Sequence, residues 1–371
     1  MNVETSLSGQ KAPDTAKPPS PYLDYLDLFR GVAILFVVMI HSGNAVLLRG
    51  VSGLEEGYSS VRTLVHIASH DATVYFALIS GILYAYRLHR KPHGPFLRSR
   101  VEFVWLPFAL VSTGLTILFL AQDYLRTGLV PPTTDAVGEI AFNVFMGEAW
   151  NTLWYIPVIM ILYVISPVLL RIVTQKSLFV LALVLMILPL FISRTDTEVT
   201  PAMVTFFGGV YVVGLVIGRD PNASVELFSR RKYEVAALAL LAAAAIIFID
   251  ITGVGEFGPM IPRESAFYVL RLSLAALMLV ALMKTSASMS QTTKGFLKKV
   301  AAYSFGIYFL HGPLLRPIAK LVGQFVPESN PAWALLLAVI AAFLIALAVS
   351  YLVVAAIKLV TGSYSKYVIG S

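Results

Sequence analysis

The chain has 371 residues, 57% of them hydrophobic and only 13% charged, and its mean hydropathy is +0.78. Such a chain is too apolar for a water-soluble domain, which excludes the aqueous fold classes and points to a polytopic membrane protein. The net charge of +7 does not indicate nucleic acid, because cytoplasmic membrane loops also collect lysine and arginine, and the absence of cysteine excludes disulfides, thiolate metal sites and a Cys nucleophile.

Residues 1–21 are polar and carry Pro13, Pro18, Pro19 and Pro21. They read as a disordered cytoplasmic tail, not as a signal peptide. A first span is expected over residues 28–48, where Asp27, Arg30 and His41 enter an otherwise apolar helix. Arg30 and His41 are eleven residues apart, about three turns or roughly 16 Å, and so share one face. A hydrophilic loop with Glu55 and Glu56 leads to a second span over 67–88, followed by the basic cluster Arg87, Arg90, Lys91, Arg98 and Arg100. Further spans are expected over 101–121, 152–170, 178–192, 202–217, 235–251, 266–283 and 300–318, with the tenth inside 332–360. The semi-apolar stretch 138–150 reads as an interfacial helix. Prolines 157, 167 and 189 suggest kinks, and the glycines of 208–218 suggest close helix approach. The fold class is therefore all-α, a polytopic integral membrane bundle of about ten transmembrane helices. Most of the lysines and arginines fall on the cytoplasmic side if the count is even and both termini are inside.

Ionisable groups within spans default to function or to a buried partner. His41 is either a proton acceptor or nucleophile near neutral pH, or a helix–helix hydrogen-bonding group. Arg30 is either an anion-binding group or a snorkelling arginine, and Asp27, three residues before it, either holds its guanidinium or caps the helix. His66, His70 and Asp71 form HIASHD. Two histidines at i, i+4 are a weak metal signal, and a wet helix start is the commoner use of such a pattern. Asp71 either orients His41 or caps a helix. Arg98 and Arg100 suit a phosphorylated ligand but also satisfy the positive-inside bias. Arg271 is expected to snorkel or to pair with Asp250 or Glu264. His311 is either structural or functional, and the aromatic run Trp150 to Tyr155, with Trp154 in it, is either an interfacial belt or a sugar-stacking wall.

The stretch LDLFRGVAILFVVMIH, YFALISGIL at 75–83, LWYIPVIMILYVISPVL at 153–169 and YSFGIYFLHGP at 303–313 together resemble membrane acyltransferase family 3, whose members often O-acetylate cell-surface glycans. The resemblance runs from about residue 23 to 362. It implies a membrane acyltransferase domain over 22–362, a cytoplasmic tail over 363–371, and a stand-alone O-acyltransferase with no attached hydrolase-like domain. By position it makes His41 catalytic, Arg30 its partner and Arg98 and Arg100 donor-binding, with Asp27, Asp71, Ser80, Trp154, Tyr308 and His311 in support. One departure is visible: Val101 to Trp105 intervene before Leu106 and Pro107, where many relatives place arginines directly before Leu-x-Pro. The implied reaction moves an acyl group, in the first instance acetyl, from cytoplasmic acyl-CoA to a hydroxyl of a glycan or glycolipid on the outer side of a bacterial inner membrane. The chemistry calls for no metal and no permanently bound cofactor, and the glycan-synthesis machinery is a further expected partner. The competing reading is a polysaccharide exporter or glycan-binding membrane protein without catalysis.

Overall fold

The computed structural model describes residues 23–51, 58–128, 132–194 and 198–371. The expected tail 1–21 and the Glu55–Glu56 pair lie outside them. Among the described residues the helices are α1 Asp24–Ala45, α2 Tyr58–Ser69, α3 Thr73–Tyr86, α4 His93–Arg100, α5 Leu106–Thr127, α6 Thr133–Met146, α7 Tyr155–Thr174, α8 Phe179–Ile187 and α9 Pro201–Arg219. They continue with α10 Pro221–Arg230, α11 Lys232–Thr252, α12 Pro262–Thr285, α13 Gln291–Ala302, α14 Ser304–Gly323, α15 Ala332–Thr361 and α16 Ser365–Val368, and no β-strand forms among the described residues.

Seven helical stretches are long and apolar enough to cross a membrane: Asp24–Leu48, His93–Thr127, Tyr155–Thr174, Pro201–Arg219, Lys232–Thr252, Pro262–Thr285 and Ala332–Val368. The other three expected spans have identifiable interruptions. The second divides into α2 and α3 at Asp71, whose φ of 56° cannot continue a helix. The fifth is the short apolar stretch Lys176–Leu190, which ends at Pro189. The ninth is α14, diluted by His311, Arg316, Lys320 and two internal prolines.

The first helix lies at the centre, packed against α2, α3, α12, α13, α14 and α15. Its buried face carries Leu26, Phe29, Ala33, Ile34, Val37 and Ile40 at helical spacing. Close approach of α3 to α9 depends on glycine: a Cβ at Gly81 would stand 3.0 Å from Leu215 N, and one at Gly218 would stand 2.8 Å from Ile82 Cα. Helix α6 buries none of its residues fully and lies along α5, where Asn143 Nδ2 donates to Thr116 Oγ1 at 3.0 Å.

The break at Asp71 is closed by a residue for which sequence reasoning expected another role. Arg271 on α12 is fully buried and neither snorkels nor pairs with Asp250 or Glu264. It donates from Nη2 to the carbonyls of His66 and Ile67, at 2.7 and 2.6 Å, and from Nη1 to that of Ala68, at 3.1 Å. These are carbonyls of the last turn of α2, where a helix end leaves acceptors to spare; that of His66 also accepts from His70 N at 2.8 Å. Asp250 instead accepts from Arg263 Nε at 2.7 Å and from Thr63 Oγ1 at 2.6 Å, and Glu264 lies 3.3 Å from His70 Nε2.

The last residues fold back onto the bundle. Tyr367 packs on Phe103, Ile369 is 2% exposed, and Ser365 Oγ donates to the Ser371 carbonyl at 2.6 Å.

Candidate active site

At the C-terminal end of α1, His41 lines a cavity of about 180 Å³ together with Asn44, Leu48, Trp150, Thr152 and Arg316. The His41 ring centroid is 5.2 Å from that of His311. His311 is fully buried, its Nδ1 lies 3.0 Å from the Ile307 carbonyl, and its Nε2 has no hydrogen-bonding partner. A carbonyl only accepts, so Nδ1 carries the proton and Nε2 presents a lone pair. Tyr308, one residue past Ile307, donates its hydroxyl to the Thr152 carbonyl, and its ring lies 6.0 Å from that of His311. Thr152 Oγ1 is buried without a partner, which leaves two orphaned polar atoms beside the paired imidazoles.

The opposite end of α1 holds a second polar group. Arg30 Nη2 lies 3.9 Å from Asp27 Oδ1, and Arg30 is within electrostatic reach of Tyr163 and Arg100. Arg100 lies over the rings of Phe96 and Tyr163, 5.1 and 5.6 Å from their centroids. Ser80 Oγ is 3.1 Å from Tyr163 OH. The Nε atoms of Arg30 and Arg100 are buried and unpartnered, so two guanidiniums converge with donors to spare. Arg98 does not join them. It remains exposed, with Nε donating to Glu102 Oε1 at 2.8 Å.

Buried tyrosines connect the two ends. Tyr163 lies 6.5 Å from Tyr211, whose hydroxyl is 2.7 Å from Ser166 Oγ. Tyr155, within electrostatic reach of both, lies 6.4 Å from Tyr308 beside His311, and its own hydroxyl is buried without a partner.

Asp71 and Trp154 sit beside this axis. Asp71 hydrogen-bonds Arg194 and approaches His70 Nε2 at 3.5 Å, so it supports the break between α2 and α3 and forms no bond to His41. Burial opposes the Arg194 charge, but Asp71 and Glu264 hold its guanidinium above the ordinary arginine range. Trp154 is 6% exposed and packs on Phe207 with Arg194 over its ring, while Trp150 is the aromatic of that run that reaches the cavity. His70, Asp71 and Glu264 bring ligand-type atoms within 4.8 Å of one another, and Arg194 places its own positive charge against both carboxylates.

A family model described as an acyltransferase domain matches residues 23–355, which takes in both polar ends of α1, the tyrosines and the histidine pair. The chain belongs to acyltransferase family 3. It is therefore a membrane acyltransferase, built of helices long and apolar enough to span the bilayer. No curated protein and no solved structure is significantly similar to it.

Several residues lie in this arrangement without a sequence signal that singled them out. Tyr155 and Tyr163 stood inside a recognised aromatic segment but carried no charge to mark them. Asn44 and Arg316 were legible only once α1 and α14 were seen to share a cavity wall. Arg194 lies in a connecting segment, where a lone arginine reads as an ordinary loop residue.

Proposed function

We propose that this acyltransferase moves an acetyl group from cytoplasmic acetyl-CoA to a hydroxyl of a glycan or glycolipid on the far side of the bacterial inner membrane. The observation that carries the reading is the placement of His41 on a ligand-sized cavity at one end of α1, about 16 Å from the Arg30–Arg100 group at the other. The mouth at Arg30 and Arg100 is the cytoplasmic one. It receives the phosphates, with Arg98 at its exposed rim, and the pantetheine arm lies along Tyr163, Tyr211 and Tyr155 toward His41.

The acceptor enters from the other end. His41 takes the proton of its hydroxyl as that oxygen attacks the thioester carbonyl. The C–O bond forms, the C–S bond breaks, and the proton passes from the imidazole to the departing thiolate. His311 positions His41, its Nε2 lone pair facing the N–H that the neutral His41 ring already carries, so that the other ring nitrogen faces the hydroxyl and takes its proton. In this reading ten spans cross the bilayer, with α2–α3, the Lys176–Leu190 stretch and α14 completing the seven apolar ones. Both termini are then cytoplasmic, with the basic cluster that contains Arg98 and Arg100.

The test is label transfer from radiolabelled acetyl-CoA to surface polysaccharide in membranes holding matched amounts of wild type or His41→Ala. Transfer by wild type and its loss in the variant is the expected result. Undiminished transfer by His41→Ala would remove His41 from the chemistry. Absence of transfer by wild type would favour the exporter reading.

A further inference from the structure

The cavity beside His41 has a wall whose hydrogen-bonding character can be traced atom by atom. Arg263 Nη2, which only donates, lies 3.4 Å from His66 Nδ1, so that nitrogen is the acceptor. The proton of the neutral ring is then on Nε2, which lies 3.0 Å from Asn44 Oδ1 and donates to it. The carbonyl oxygen of Asn44 is thereby engaged, and its NH2 group is left for the cavity it lines.

Across the same cavity stands Arg316 of α14, an exposed guanidinium with no ion pair among the described residues. Trp150 adds an indole N–H close to α14, where a Cβ on Gly312 would stand 2.6 Å from Nε1. Among the described residues no aspartate or glutamate lines the cavity. Asn151 and Thr152 also line it and can accept as well as donate, so what sets this wall apart from one built for sugar hydroxyls alone is the donor-only, positively charged Arg316 beside the Asn44 NH2 and the Trp150 N–H. A carboxylate or phosphate only accepts, and a guanidinium with a neighbouring amide suits it.

We infer that the acceptor carries an anionic group, held by Asn44 and Arg316 while a hydroxyl of the same molecule faces His41. This rests on the acyltransferase reading of His41. His41 and Asn44 are three residues apart on α1, which puts their Cβ atoms about 5–6 Å from each other. That spacing is the breadth of one hexose ring, so charge and reacting hydroxyl belong to the same or adjacent sugars. The anion is either the carboxylate of an acidic sugar or the phosphate that links a sugar to a lipid.

The experiment uses purified full-length protein in nanodiscs, radiolabelled acetyl-CoA and three acceptor probes: p-nitrophenyl glucoside, p-nitrophenyl glucuronide and glucose 1-phosphate. At least one anionic probe is expected to exceed the glucoside by about tenfold in kcat/KM, the size of one charge-assisted hydrogen bond. Which one does so separates the carboxylate from the phosphate. Arg316→Gln and, independently, Asn44→Asp bring that ratio toward one. The loss falls on the acceptor KM rather than on the KM for acetyl-CoA, and Arg316→Lys retains part of the preference. Equal use of all three probes, no labelling of either anionic probe, or a preference that survives both variants would overturn the inference. Release of acetate from acetyl-CoA by wild type but not by His41→Ala is monitored in the same samples. If that signal is present and the anionic preference is absent, only the subsite fails. If wild type consumes no acetyl-CoA, the acyltransferase reading fails and the subsite with it.

Discussion

Arg271 illustrates how a charged residue in a membrane span can serve chiefly the backbone. Its guanidinium meets three carbonyls at the end of α2, and Arg271→Leu leaves those of Ile67 and Ala68 without it, while that of His66 keeps the His70 N–H. At about 1–3 kcal/mol for each unsatisfied group, the variant is expected to unfold in mild detergent well below the temperature at which wild type melts. Arg271→Lys recovers only part of that stability, because a single ammonium cannot reproduce the planar fork. Thermal unfolding monitored by size-exclusion chromatography checks both. His311 calls for a different measurement, since its role is exercised through His41. His311→Leu is expected to lower kcat about 100-fold with little change in the KM for acetyl-CoA, the scale of a lost acid–base contribution. His311→Gln, which restores an accepting oxygen, recovers part of it, and an equal loss in both variants would mark His311 as packing. The placement of His41, Arg30 and Asp27 along one helix was readable from spacing. The function of Arg271 was not, because its partners are backbone carbonyls on another helix and backbone carries no sequence signature.

At the scale of elements, the unusual feature is the π-helical turn Val101–Trp105 between α4 and α5. The five residues that separate Arg100 from Leu106 in the sequence form that turn, within a continuous helical stretch His93–Thr127. A π turn accommodates one extra residue in a helix and rotates the N-terminal segment by about 100° relative to the C-terminal one. Here the N-terminal segment carries Arg98 and Arg100, and only Arg100 is directed toward Tyr163. Deleting Val101 is expected to regularise the helix, turn Arg100 off that ring and raise the KM for acetyl-CoA about tenfold or more, with the acceptor KM unchanged. Steady-state kinetics with each substrate varied in turn would test it, and a donor KM that stays put would show that the turn has no bearing on the donor. The α3–α9 contact makes a second prediction. Gly218→Leu puts a side chain against the Ile82 backbone, and is expected to separate the helices and abolish detergent-stable protein, as read by fluorescence-detected size exclusion. The long apolar spans were legible because length and hydropathy alone define them. The breaks were not, because Asp71, Pro189 and the polar face of α14 depend on neighbours that hydropathy does not see.

For the whole molecule, the two ends of α1 must open on opposite sides of the membrane. The absence of cysteine makes this directly measurable. Single cysteines at Gly94 and Gly295, both with open space around the Cα, are expected to react with an impermeant maleimide only after the inner membrane is permeabilised. One at Gly255 is expected to react from outside in intact cells whose outer barrier has been opened. Labelling of Gly94 and Gly255 positions from the same side would overturn the even-span topology. The general architecture was visible in the composition, and the family membership in four ordered motifs. What required three dimensions was the meeting of α1, α14 and the segment before α7 around one cavity, because contacts between helices hundreds of residues apart leave no periodic trace in a single chain.

The folded-back terminus bears on how the protein can be handled. Ile369 is held in the bundle, Gly370 lies against Phe305, and Tyr367 rests on Phe103 inside the π turn that aims Arg100. An affinity tag or fluorescent reporter appended after Ser371 is therefore expected to pull on the wedge that braces the turn holding Arg100. A detection handle placed there would report a weakened donor affinity that belongs to the handle rather than to the enzyme.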